Sequence, residues 1–182
     1  IQSFHFYRNY LHKGITEKRI AWGGIPIDKE LDETNKTILD ELAKNSRVNS
    51  VEIANKLKLS PDAIIQRIKQ LQNQGIIEHY MIFANVNKLI GEYYKTLLSI
   101  KSITKEKEEK IIEYCKQNPN IVYVVNCFGP WQYELDIEVK DSKQYRELLQ
   151  DFLTEFGDVI KEHTTLNIYE EYKYRFYDKR MK

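Results

Sequence analysis

The 182-residue sequence contains no run of about 20 apolar residues, so no membrane span is expected. Within the first 30 residues, Arg8, Lys13, Glu17, Lys18 and Arg19 leave no apolar block ahead of a small-residue cleavage site, so no secretory signal is expected either. Cysteine is scarce. Cys115 and Cys127 are expected as buried thiols in a reducing cytoplasm. The four histidines, His5, His12, His79 and His163, are scattered, and none pairs with Cys, Asp or Glu at a metal-ligand spacing. No zinc site and no cofactor are therefore expected. An excess of charge of one sign is missing too, since the formal net charge is only +1.

What is present describes a soluble globular chain, with 30% charged and 42% apolar residues and room for one large or two small domains. Its charge is unevenly placed. Residues 1–30 carry a net +2, and residues 31–84 hold seven basic and seven acidic groups. Within that neutral segment the stretch 56–69 sets Lys56, Lys58, Arg67 and Lys69 against Asp62 alone. Local charge is what meets a phosphate backbone, so a near-neutral chain still has a basic surface to offer.

That basic stretch coincides with a helix–turn–helix pattern. Asp32 is placed to cap a helix running to about Ala43, with Ile38, Leu39 and Leu42 inward. Asn49 precedes Glu52 at a capping-box spacing and opens a short helix with Val51, Ile53, Ala54 and Leu57 inward. Lys58, Leu59 and Ser60 make the turn. Ser60 caps a third helix over about 61–74, and Pro61 suits its first position because the missing N–H is not needed there. Ile64, Ile65, Ile68 and Leu71 are expected to face the core. Asp62, Ala63, Gln66, Arg67, Lys69 and Gln70 are then left outside. Arg forks onto guanine, Gln onto adenine, and Ala meets a thymine methyl. This face therefore points to double-stranded DNA, with Gln66 and Arg67 on bases and Arg47, Lys56, Lys58 and Lys69 on phosphate. Gly75 is expected as a left-handed cap, and the alternating "IIEHYMIFAN" as an exit strand or wing.

The remainder reads as strand, helix, strand, strand, helix, strand. Residues 91–102 are β-rich, and Thr104 caps a helix to about Gln117. A strand pair flanks the turn Gly129-Pro130-Trp131, with Tyr133, Leu135, Ile137 and Val139 on one face. Ser142 begins a helix carrying Tyr145, Leu148, Leu149, Phe152, Leu153 and Phe156, which Gly157 ends, and a long final strand region follows. The order is that of a ferredoxin-like βαββαβ unit. It leaves one sheet face without helices, and a sheet-to-sheet dimer is the natural cover. The expected fold class is α+β: segment 1–30, a helix-turn-helix domain over 31–84, and a ferredoxin-like domain over 85–182.

The stretch "LDETNKTILDELAKNSRVNSVEIANKLKLSPDAIIQRIKQLQNQGII" resembles the N-terminal domain of the Lrp/AsnC (feast/famine) transcription regulators. Leu-Asp-x-x-Asn, Asn-x-Arg, Ser60-Pro61, Arg67-Ile68, Leu71 and Gly75-Ile76-Ile77 carry the resemblance, which extends over about 31–170. It implies a sequence-specific DNA-binding regulator with a winged helix-turn-helix. It also implies a dimer-forming, effector-sensing domain, a homodimer or higher homo-oligomer on pseudo-palindromic sites, and an amino acid or other small molecule as effector. The family's Gly-x-x-Asp turn helps form the effector pocket. Here it is Gly129-Pro130-Trp131-Gln132, so Gly129 matches while Gln132 replaces a carboxylate that would neutralise an amino group. Trp131 either lines an apolar pocket or packs, and packing is the ordinary fate of so large a side chain.

Two further readings stay open. The aromatic start "IQSFHFYRNYL" lines up with "NIYEEYKYRFY" near the other end. Residues 1–12 are thus either the last strand of a preceding sensing module, as in tandem-repeat archaeal members, with a linker up to residue 30, or an N-terminal arm. The function class also has rivals: an architectural DNA-binding protein of low sequence preference, or an enzyme like the few relatives adapted to tetrapyrrole decarboxylation. No nucleophile–base pair is visible, so no catalytic residues and no enzyme activity are expected.

Overall fold

The computed structural model describes residues 2–5, 20–23, 30–80, 84–172 and 176–180, the first two stretches as backbone alone. In chain order the elements are β1 (Gln2–His5), β2 (Ile20–Gly23), α1 (Glu33–Lys44), α2 (Ser50–Leu57), α3 (Pro61–Asn73) and α4 (Val86–Leu89). They continue with β3 (Glu92–Ile100), α5 (Lys105–Gln117), β4 (Ile121–Asn126), β5 (Tyr133–Val139), α6 (Ser142–Phe156) and β6 (Ile160–Ile168). These group into two units, one built on α1–α3 and one on the sheet. Among the described residues no helix is long and apolar enough to cross a membrane.

The helical unit forms because each helix start is satisfied locally. Asp32, Asn49 and Ser60 each turn a side-chain oxygen onto an N–H of the first helical turn. Ile38, Ile53, Ala54, Ile64 and Leu71 then meet in one buried cluster, joined at its margin by Leu42, Val48, Leu57 and Ile68. Two expected core residues fall outside it: Val51 is 45% exposed and Ile65 is 40% exposed. The end of α3 is a Schellman motif. Gly75, at φ +70°, donates its N–H to the Gln72 carbonyl, and the Ile76 N–H reaches the Leu71 carbonyl. No strand follows over residues 76–80, and residues 81–83 of the expected wing lie outside the described ones.

A distant segment completes this unit. The final strand ends at Ile168, short of the long run expected from the aromatic alternation. Tyr177 instead packs against the helical cluster, and the Lys179 N–H donates to Asp40 Oδ1 on α1 at 3.3 Å. Asp40 is buried and also bridged by Lys44 at 2.7 Å. A buried carboxylate needs such partners to offset its lost hydration.

The second unit is a wholly antiparallel sheet in the order β2-β1-β4-β5-β3-β6. Its last four strands, with α5 and α6 between them, have the ferredoxin-like arrangement. β1 continues the sheet past β4 and β2 pairs with β1, so residues 20–23, expected as linker, are a strand. The helix-covered face is apolar: Leu98, Val124, Leu135 and Ile137 pack under Ile111, Cys115, Phe152 and Phe156. Tyr145 seats α6 on the sheet. Its ring stacks on Tyr94 at 4.0 Å, and its hydroxyl bonds to Thr96 at 2.9 Å and Thr165 at 2.6 Å.

Candidate nucleic-acid interface

The turn into α3 is tight because Lys58 adopts a left-handed conformation, φ 55°, and the Leu59 N–H returns to the Ala54 carbonyl. Ser60 then starts α3, and its Oγ accepts from the Ala63 N–H at 3.2 Å. With Ile64 and Leu71 fully buried, the opposite side of α3 carries Asp62, Ile65, Gln66, Lys69 and Asn73, all exposed. These positions follow i, i+3, i+4, i+7 and i+11, one stripe along the helix.

The expected DNA-contacting residues divide around that stripe. Asp62, Gln66 and Lys69 lie in it. Gln70 is exposed on its flank, while Ala63 and Arg67 are half-buried. Ser60, Lys58 and Arg47 are exposed in the turns leading into α3 and α2. Lys56 is exposed but bound to Glu41 of α1 at 2.7 Å. The largest difference concerns Arg67. Its Nη1 donates to Asp32 Oδ2 at 2.7 Å and to Asn35 Oδ1 at 3.0 Å, tying α3 to the start of α1. The arginine expected on guanine is thus ion-paired at the surface of the unit, with 33% of its side chain exposed. Ile65 and Asn73 were not expected outside. Their place in the i+3 and i+11 series from Asp62 is the signal that finds them.

The Asn35 N–H, and after it the Arg67 guanidinium, hold the Asp32 carboxyl below its usual range. A depressed carboxylate stabilises the fold above its ordinary pKa, roughly 3.9, and this contribution is lost as pH falls through the folded value. Lys44 and then Lys56 act on Glu41 in the same direction. Acidification from pH 7 to 3 is therefore expected to lower the unfolding midpoint, and Asp32→Asn, which keeps a good cap, to flatten part of that fall. Melting curves of the two proteins that run parallel across this range would contradict the assignment.

The turn expected to line an effector pocket is held by hydrogen bonds of its own residues. The Gln132 amide ties the turn to the end of β3: Oε1 accepts from the Ile100 N–H at 2.8 Å, and Nε2 donates to the Gly129 carbonyl at 3.0 Å. The Cys127 N–H adds a bond to the Gln132 carbonyl at 2.7 Å. Trp131 is half-buried and donates Nε1–H to Glu134 at 3.0 Å. Glu134 opens a polar network on the helix-free face, where Lys95 lies 3.0 Å from it and 2.9 Å from Asp136. The Tyr93 hydroxyl also donates to Asp136 at 2.7 Å. Burial pushes the Asp136 carboxyl up, against the pull of Lys95. Burial acts on Glu134 likewise, but Lys95 and Trp131 outweigh it and hold that carboxyl down.

Residues 31–78 match the winged helix-turn-helix DNA-binding family. Transcriptional regulator AzlB of Bacillus subtilis is 29% identical over 124 residues, which span 68% of this chain and 79% of AzlB. The leucine-responsive regulatory protein of Escherichia coli is 28% identical over 130 residues, 69% of this chain and 77% of its own. The chain thus resembles the Lrp/AsnC transcription regulators over about two thirds of its length. A solved Neisseria meningitidis member of this fold, the transcriptional regulator NMB0573 in complex with L-Met, superposes with a TM-score of 0.70 at 23% identity. The match covers 81% of this chain and 95% of that one. These relatives are transcription regulators, and α2–α3 is the helix-turn-helix within the residues that match the DNA-binding family.

Proposed function

We propose that α3 enters the major groove with its outward stripe, Gln66 foremost, while Arg47, Lys58 and Lys69 hold flanking phosphates. The exposed stripe on a helix fixed by the Ser60 cap and the Arg67–Asp32 bridge supports this reading. A fixed helix holds its base-reading side chains in one orientation, so little freedom is lost on binding. Arg67 then positions α3 and does not read guanine. The chain acts as a cytoplasmic regulator without enzyme activity. It works as a homodimer, so that two copies of α3 address half-sites about one helical turn apart.

Selection of bound duplexes from a random pool tests this with the full chain. A pseudo-palindromic consensus is expected. Gln66→Ala should relax one position per half-site, at a cost of roughly 1–3 kcal/mol. Arg67→Ala should weaken all sequences alike. Equal affinity for selected and random duplexes at the same salt would replace this reading with architectural binding.

The sheet unit is the sensor in this proposal. Leucine response in the Escherichia coli relative's name and the L-Met complex of the Neisseria meningitidis protein support an amino acid or similar small molecule as effector. In this chain the turn 129–132 offers no carboxylate at Gln132, whose amide is already engaged. Selectivity at this turn therefore differs from that of members with an acidic residue there. Repeating the selection with a panel of amino acids reads out any effector as a shift in bound sites.

A further inference from the structure

We propose that Ile65 is a specificity-determining residue that takes the 5-methyl group of a thymine in the major groove. This rests on the reading of α3 as the groove-entering helix. α3 carries three isoleucines with three different surroundings. Ile64 is fully buried, Ile68 packs at the edge of the core, and Ile65 stands 40% exposed. It is the one apolar member of the outward stripe, between Asp62 one turn before and Lys69 one turn after.

Helix stability does not account for an isoleucine at this position. A β-branched residue is a poorer helix former than Ala, Gln or Lys, and an outward one gains little burial in return. Its stiffness suits recognition. In a helix Ile is held almost entirely to one χ1 rotamer, so its methyl groups stand in a fixed direction with little entropy left to lose. The direction of the helix face is fixed as well, by the Ser60 cap at one end and the Arg67 bridge to Asp32 and Asn35 along one side. Among base edges in the major groove only thymine presents a methyl group, so a rigid apolar contact there distinguishes thymine from cytosine and from both purines. Gln66, the next residue of the stripe, has the amide that matches adenine N6 and N7. Ile65 and Gln66 side by side thus fit an A·T-containing step better than a G·C one.

The test removes the methyl group from the DNA alone. On the selected site, each dT is replaced in turn by dU, and binding by the full chain is compared with that of Ile65→Ala and Ile65→Val. The expected result is one thymine per half-site at which loss of the methyl weakens wild-type binding about fourfold, in line with burial of one methyl group. Ile65→Ala should bind the dT duplex more weakly by a similar factor and lose its response to dU there, while Ile65→Val retains much of it. The assignment is overturned if no dU replacement matters to the wild-type protein. It is equally overturned if Ile65→Ala and Ile65→Val show the wild-type ratio of dT to dU affinity. If selection returns no consensus, the groove-reading proposal itself fails, and this assignment with it.

Discussion

Raising monovalent salt from 50 to 200 mM is expected to weaken DNA binding about 10³-fold. Arg47, Lys58 and Lys69 are exposed and make no ion pair among the described residues, so each can meet a phosphate. Lys56 and Arg67 are occupied by Glu41 and Asp32. The proposed dimer would present about six phosphate-binding cations, and the expected slope of log affinity against log salt is roughly −5. Lys69→Ala should make that slope shallower by about 2 for the dimer, whereas Lys56→Ala should change it little. Fluorescence anisotropy of a labelled duplex over a salt series measures both. A wild-type slope near −10 would show that the paired cations leave their carboxylates for DNA.

Gly91→Ala is expected to destabilise the sheet unit by about 3 kcal/mol. Gly91 links α4 to β3 at φ +145°, a conformation that side chains resist. A Cβ there would lie 2.4 Å from the Lys140 carbonyl oxygen and 3.0 Å from its carbon. Those are backbone atoms, and the next pair of the ladder, Glu92 with Val139, fixes them. Neither side has a flexible group that can move aside. Gly75 provides the control. At φ +70° its added Cβ would meet nothing within 4 Å, so Gly75→Ala should cost only the conformational penalty, about 1 kcal/mol. Urea unfolding of both variants, followed by circular dichroism, should rank Gly91→Ala well below Gly75→Ala in stability. Equal losses would show that the corner at Lys140 yields.

The parts of this fold written in short-range chemistry are readable from the sequence. Asp32, Asn49, Ser60 and Thr104 are each identifiable as caps, because the hydrogen bond a cap makes lies within its own first turn. The βαββαβ order follows from alternating strands and from helices carrying residues such as Phe152 and Phe156 on one side. Ile64 and Ile65 show the limit. Adjacent residues on a helix differ by 100°, and periodicity alone does not say which of two isoleucines points inward. The position of α1 and α2 decides it. Arg67 shows another limit, since its partner Asp32 lies 35 residues away and nothing local marks the pair. The aromatic alternation after Ile168 suggested a strand, yet Tyr177 is spent on the helical cluster.

The return of Tyr177 and Lys179 to α1 has a consequence for biosynthesis. Lys179 and Asp40 are 139 positions apart, with strands β3–β6 between them. At about 5–20 residues per second, a ribosome needs roughly 5–20 s between releasing α3 and releasing Tyr177. During that interval the nascent α1–α3 bundle has an uncovered apolar margin, while the intervening strands are already free to pair. Completion of the α1–α3 unit therefore waits on translation of β3–β6, and a product terminated before Tyr177 carries α3 without that residue against its core.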